Sequence, residues 1–225
     1  MLRKSVTLIA VSLFFATLPA QAQFSDIFNK ITGGSVGETT RPTGKDNSSS
    51  TKDATELVTR FVAAQKLVLD AQIAFAKSFG LADQVKLLQA ERKAISSGSV
   101  DKSVLEKSVT VSDRARKAIA EKMESEPTLN ASSKAHYARG LIALAGSVSQ
   151  AKKLPNAANR LMQKSSSNPF SILTAEGKLA TSLWVAKETP GYLTTLASTT
   201  KSALSFGKLM GISLPKNADA LLGDL

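Results

Sequence analysis

The chain has 225 residues, 43% of them hydrophobic and 21% charged, with a formal net charge of +11 and no cysteine. The absence of cysteine excludes disulfides, thiol catalysis, cysteine-held metals and a lipid anchor attached through cysteine. A single histidine, His136, and an aromatic content of 5% argue against a multi-histidine metal centre and against a base-stacking nucleic-acid surface.

Residues 1–22 have the order of a secretory leader. Arg3 and Lys4 open it. An apolar stretch follows with Leu8, Ile9, Val11, Leu13, Phe14, Phe15 and Leu18, and small residues stand at Ala20 and Ala22. This pattern predicts a signal peptide cleaved after Ala22. The apolar stretch is shorter than the roughly 20 residues a spanning helix needs, and Pro19 would break such a helix. The expected destination is the periplasm, with outright secretion as the alternative, and no transmembrane anchor is expected after cleavage. Without disulfides the mature chain must be held by its core alone. Loss of Arg3 and Lys4 leaves +9, unevenly placed: residues 23–126 carry 16 basic and 14 acidic residues, whereas 127–225 carry 11 and 4. An anionic partner would be drawn to the second half; the alternative is that its lysines solvate exposed helix faces.

Residues 23–52 read as a short amphipathic segment on a linker. Phe24, Ile27, Phe28 and Ile31 fall on one helical face. This face could pack on the body or bind an envelope protein partner. Residues 33–52, GGSVGETTRPTGKDNSSSTK, contain nothing large to bury apart from Val36 and are expected to be flexible.

Residues 53–225 predict one all-α domain, a multi-helix bundle of about six to seven helices with mostly antiparallel neighbours. Asp53 and Glu56 form a candidate capping box for a first helix over 53–80. That helix is apolar around most of its girth and stops at Gly80. A second spans 83–97. A third is opened or reinforced by Ser103 and Glu106 and runs to 126, before Pro127; its charge suggests the periphery. Asn130 caps a fourth over 130–153, rich in the small residues that let helices approach closely. A short fifth covers 156–164, and SSSNP breaks the chain after it. Two more, 170–188 and 191–210, are expected to be separated at Thr189-Pro190 and folded back on each other. No run alternates long enough for a sheet, and no 34-residue repeat is present.

Catalytic patterns are missing. His136 has no carboxylate within four residues, and no G-x-S-x-G elbow accompanies it. S-x-x-K occurs six times, from Ser49, Ser99, Ser149, Ser198, Ser205 and Ser213, without the companion motifs of penicillin-recognising enzymes. No phosphate-binding glycine loop occurs. The expectation is a non-enzymatic protein without metal or cofactor and without nucleic acid as partner.

Two functional readings remain. The first is a carrier of a hydrophobic or lipid-like ligand (a fatty acid, phospholipid, sterol or hopanoid), lined by Phe61, Leu69, Phe75, Leu183, Trp184 and Leu204, with the basic second half suiting an acidic head group. The second is an envelope scaffold or adaptor that binds another envelope protein, or an anionic cell-wall or outer-membrane component.

Overall fold

In the computed structural model the described residues are 46–97, 100–125, 127–167 and 178–215, with side chains over 51–97, 100–125, 127–163 and 179–215. All belong to the compact unit Thr40–Leu225, whereas Met1–Thr39 lies outside the described residues. The expected signal peptide at 1–22, the amphipathic residues Phe24, Ile27, Phe28 and Ile31, and linker positions 33–45 therefore fall outside as well, as does the last expected turn beyond residue 215. Among the described residues the structure is all-helical: α1 Asp46–Ser78, α2 Ala82–Ala94, α3 Lys102–Glu124, α4 Ala131–Ala151, α5 Leu154–Ser167 and α6 Lys178–Leu209.

Helix α1 organises the rest, packing against each of the other five. Its sequence permits this because two apolar stripes run side by side along it. Phe61, Val68 and Phe75 lie seven apart and join the main core with Leu57, Ala64 and Ala71. Leu69 and Ala76, one position further on, join a second cluster with Leu88 and Ile95 of the α2 region and Ala115 of α3. A step of one residue turns the side chain about 100° round the helix, so neighbouring stripes face different partners. Full burial of a side chain such as Phe61 contributes about 1.5–3 kcal/mol.

The connection from α1 to α2 is set by Gly80, at φ 68°. Leu81 N–H donates to Ala76 O at 2.8 Å and Gly80 N–H to Lys77 O at 3.3 Å, the paired bonds of a Schellman close. Gly211, at φ 62°, ends α6 in the same way. The small residues of α4 do bring it close to α1: a Cβ at Gly140 would collide with the ring of Phe75. The cap at Asn130 is present, its side-chain oxygen accepting from Ser133 N–H at 2.9 Å.

Three expected boundaries are corrected. Helix α1 starts at Asp46, not Asp53, so 46–52 continue the helix instead of the linker. Asp53 and Glu56 face Arg160 of α5, at 3.7 and 3.1 Å, and Glu56 also holds Arg60 at 2.8 Å. These carboxylates serve an ion network, and the pattern that resembled a capping box lies inside a helix. The cap of α3 is Asp101, not Ser103: its carboxylate accepts from Val104 N–H at 2.9 Å, and the Ser103 hydroxyl donates to it.

The third correction concerns Thr189-Pro190. The chain continues through it as a single helix, α6, with Pro190 inside, so no fold-back occurs there. Proline removes one rung of the hydrogen-bond ladder and crowds the carbonyl four residues earlier, at a cost of about 3 kcal/mol. Val185, Ala186, Thr189 and Leu196 are nonetheless buried on either side, and their packing on a common core outweighs the break. Pro190 itself is exposed, which leaves its ring outside the packed face. The expected start of this region at Phe170 lies outside the described residues.

Candidate functional site

A stripe on α1 carries more than apolar residues. Phe61, Gln65, Val68, Gln72 and Phe75 recur at steps of four and three, so two amides interrupt an otherwise apolar face. The amides meet α3. Gln65 Nε2 donates to Ser108 Oγ at 3.2 Å, and Gln72 Nε2 donates to the Ser112 carbonyl at 3.0 Å. Gln65 is 1% and Gln72 4% exposed. These amides bridge α1 to α3, and α6 packs alongside.

The result is a cavity of about 250 Å³ between α1, α3, α4 and α6. Its α1 wall is the stripe just described together with Ala71. Helix α3 contributes Val109, Ser112, Asp113 and Arg116, α4 contributes Leu144, and α6 contributes residues from Glu188 through Thr199, Tyr192 and Leu196 among them. The lining is mainly apolar with a few converging polar groups, the composition of a small-molecule site, and the volume is just below the roughly 300 Å³ at which drug-sized sites begin.

Two polar atoms on this wall are buried without a hydrogen-bond partner: Gln72 Oε1 and the hydroxyl of Tyr192. The Tyr192 residue is only half-buried, but its oxygen is fully covered; burial pushes its pKa well above the usual phenol range. The charged groups are the carboxylates of Asp113 and Glu188 and the guanidinium of Arg116. Arg116 Nε lies 3.4 Å from Asp113 Oδ1.

Of the six residues expected to line a ligand site, Phe61 and Phe75 stand on this wall. Trp184 does not, but its ring packs edge-on against Phe61 with centroids 5.9 Å apart, one side chain away from the cavity. Leu183 packs against the main core and Leu204 is buried within it. Leu69 belongs to the second cluster, on the adjacent face of α1. The residues that sequence reasoning missed are Gln65, Gln72, Ser112 and Tyr192. For Gln65 and Gln72 the signal was present: polar residues at core register on an apolar helix need a partner or a cavity.

Among the described residues no group of three or more His, Cys, Asp or Glu is placed to hold a metal ion, and no helix is long and apolar enough to cross a membrane. Comparison with protein-family models, curated proteins and solved structures finds no match.

Proposed function

We propose that this chain is an exported, non-enzymatic bundle of six to seven helices that holds one hydrophobic or lipid-like molecule in the cavity between α1, α3, α4 and α6. In this reading residues 1–22 direct it to the periplasm and are removed. The observation that carries the reading is the cavity itself: an apolar-walled space of about 250 Å³ with a small set of converging polar groups. That volume favours a single acyl chain or a molecule of one or two rings over the fused-ring sterol and hopanoid class. The adaptor reading has its proposed docking residues outside the described residues, and its other support is the basic excess of residues 127–225.

Trp184, the single tryptophan, provides the test. Because its indole packs on Phe61 and Phe61 lines the cavity, titration with single-chain amphiphiles should shift its emission saturably. Native mass spectrometry of protein purified from its own envelope should show co-purifying lipid. No saturable shift together with no bound lipid would remove the carrier reading, and a stoichiometric protein partner would put the adaptor in its place.

A further inference from the structure

Helix α6 is weakest where it walls the cavity. Thr189, Pro190, Gly191, Tyr192, Leu193, Thr194 and Thr195 follow one another there, and of these only Leu193 is a good helix former. Pro190 has no N–H to give to the Ala186 carbonyl. Gly191 is exposed, and a Cβ on it would meet nothing within 4 Å, so no close packing calls for glycine at this place. Thr189 and Thr194 turn their hydroxyls back to the carbonyls of Val185 and Pro190, at 2.8 and 3.1 Å, a bond that slightly weakens and bends a helix. From 190 to 195 no residue is buried, whereas elsewhere along 179–207 a buried residue recurs within four positions. The anchors stand on either side: Val185, Ala186 and Thr189 before the stretch, Leu196, Thr200 and Ala203 after it. Of the six α6 residues on the cavity wall, Gly191, Tyr192 and Thr195 belong to the stretch without anchors.

We propose that residues 190–195 are the gate of the cavity: a turn of α6 that opens as a unit while both flanks stay packed, and so admits molecules from solvent. Phe61 shows how the two sides of the break differ. Trp184, before it, packs edge-on against the Phe61 ring with centroids 5.9 Å apart, and Tyr192, after it, lies on the same ring at 4.8 Å. Opening lifts Tyr192 off Phe61 and leaves Trp184 in place. The Phe61 contact holds the turn shut, together with the partly buried Leu193, which packs on the main core. Against them stands the Tyr192 hydroxyl, covered and unpartnered in the closed position. Swinging out returns it to water and removes the cost of leaving it unpaired. The use of the gate rests on reading the cavity as a ligand site; the opening itself does not.

Amide hydrogen exchange on the whole protein should find 191–195 exchanging about a hundredfold faster than 184–188 and 200–204. Gly191→Ala adds helix propensity without a new contact, and should slow exchange in the turn about fivefold. Access is read separately. The chain has no cysteine, so Ala71→Cys places a single thiol on the α1 wall, at a position 0% exposed. Its labelling by iodoacetamide at neutral pH should fall by the same factor when Gly191→Ala is added; Val68→Cys, on the same wall, serves if Ala71→Cys does not fold. Protection over 191–195 equal to that of the flanks would overturn the gate. Flanks slowed as much as the turn would mean that the cavity opens only when the whole bundle unfolds, which overturns it too. Slower exchange with unchanged labelling would place the entrance elsewhere, with the same consequence. Labelling slowed in parallel, with no saturable Trp184 response to 1-octanol, would keep the gate and remove the ligand reading.

Discussion

Tyr137 ties its own helix, α4, to α1, α3 and α6. It is 0% exposed. Its hydroxyl donates to the Ala203 carbonyl of α6 at 2.9 Å and lies 3.3 Å from Met123 Sδ of α3. Its ring lies against those of Phe75, Phe79 and Phe206, at centroid distances of 4.6, 5.9 and 5.2 Å. Burial raises its pKa well above the normal phenol range, so it stays a neutral donor. Tyr137→Phe keeps the ring packing and removes the donor, leaving the Ala203 carbonyl short of one partner. A loss of about 1 kcal/mol is expected in a denaturant melt, and an unchanged midpoint would mean that water replaces the bond. Neither this role nor the cavity amides stood out in the sequence. A single residue's partners come from helices distant along the chain, and helical periodicity says which face is buried but not against what.

At the scale of the element, the signals that held were backbone requirements, and those that failed were local preferences outweighed by packing. Gly80 stopped α1 because the turn needs positive φ. Asn130 capped α4 because its amide reaches an otherwise orphan N–H. Asp53 failed because the side chain found Arg160, and Pro190 failed because both sides of the break are buried. The helix break leaves a measurable trace. Pro190→Ala restores the donor to the ladder and should raise stability by about 2 kcal/mol, being about 3 kcal/mol of propensity less up to about 1 kcal/mol of unfolded-state entropy. A lower melting temperature would instead show that the interrupted ladder is needed to seat Glu188 and Tyr192 on the cavity. A second trace depends on pH. The Val104 N–H and then the Ser103 hydroxyl hold the Asp101 carboxyl below its ordinary value of 3.8. A depressed folded pKa contributes stability above the unfolded value and loses it as pH falls through the folded one. The start of α3 should therefore loosen below about pH 4, seen as faster amide exchange at Val104. Asp101→Asn retains an acceptor that cannot titrate in this range, and should flatten that pH dependence.

At the scale of the whole molecule, the all-α class was legible because period-3.6 patterning survives any arrangement of the helices, and the girdle of apolar residues on α1 marked it as central. The cavity was not legible, because it arises where one helix must satisfy several neighbours at once. The Phe61–Phe75 stripe faces α3 and α6 together, its two amides bonding to α3 while Tyr192 of α6 packs on Phe61. Ala71 is a position where a longer side chain tests this geometry. It is 0% exposed and lies on the cavity wall. In Ala71→Met a flexible thioether can grow into the space with no polar atom added. Filling a cavity commonly stabilises by about 0.5–2 kcal/mol, which in a domain of this size is a rise of a few degrees in melting temperature. Binding should move the other way. A ligand at a hundred times its Kd stabilises the native protein by about 2.7 kcal/mol, and that increment should vanish in the variant because the side chain occupies the ligand's volume. The unliganded and liganded melts of Ala71→Met should therefore coincide at or above the unliganded wild type. A variant that melts lower would mean that the α1 wall is too tightly packed to accept the chain. One that melts higher but keeps the full ligand increment would place the binding site elsewhere on the bundle.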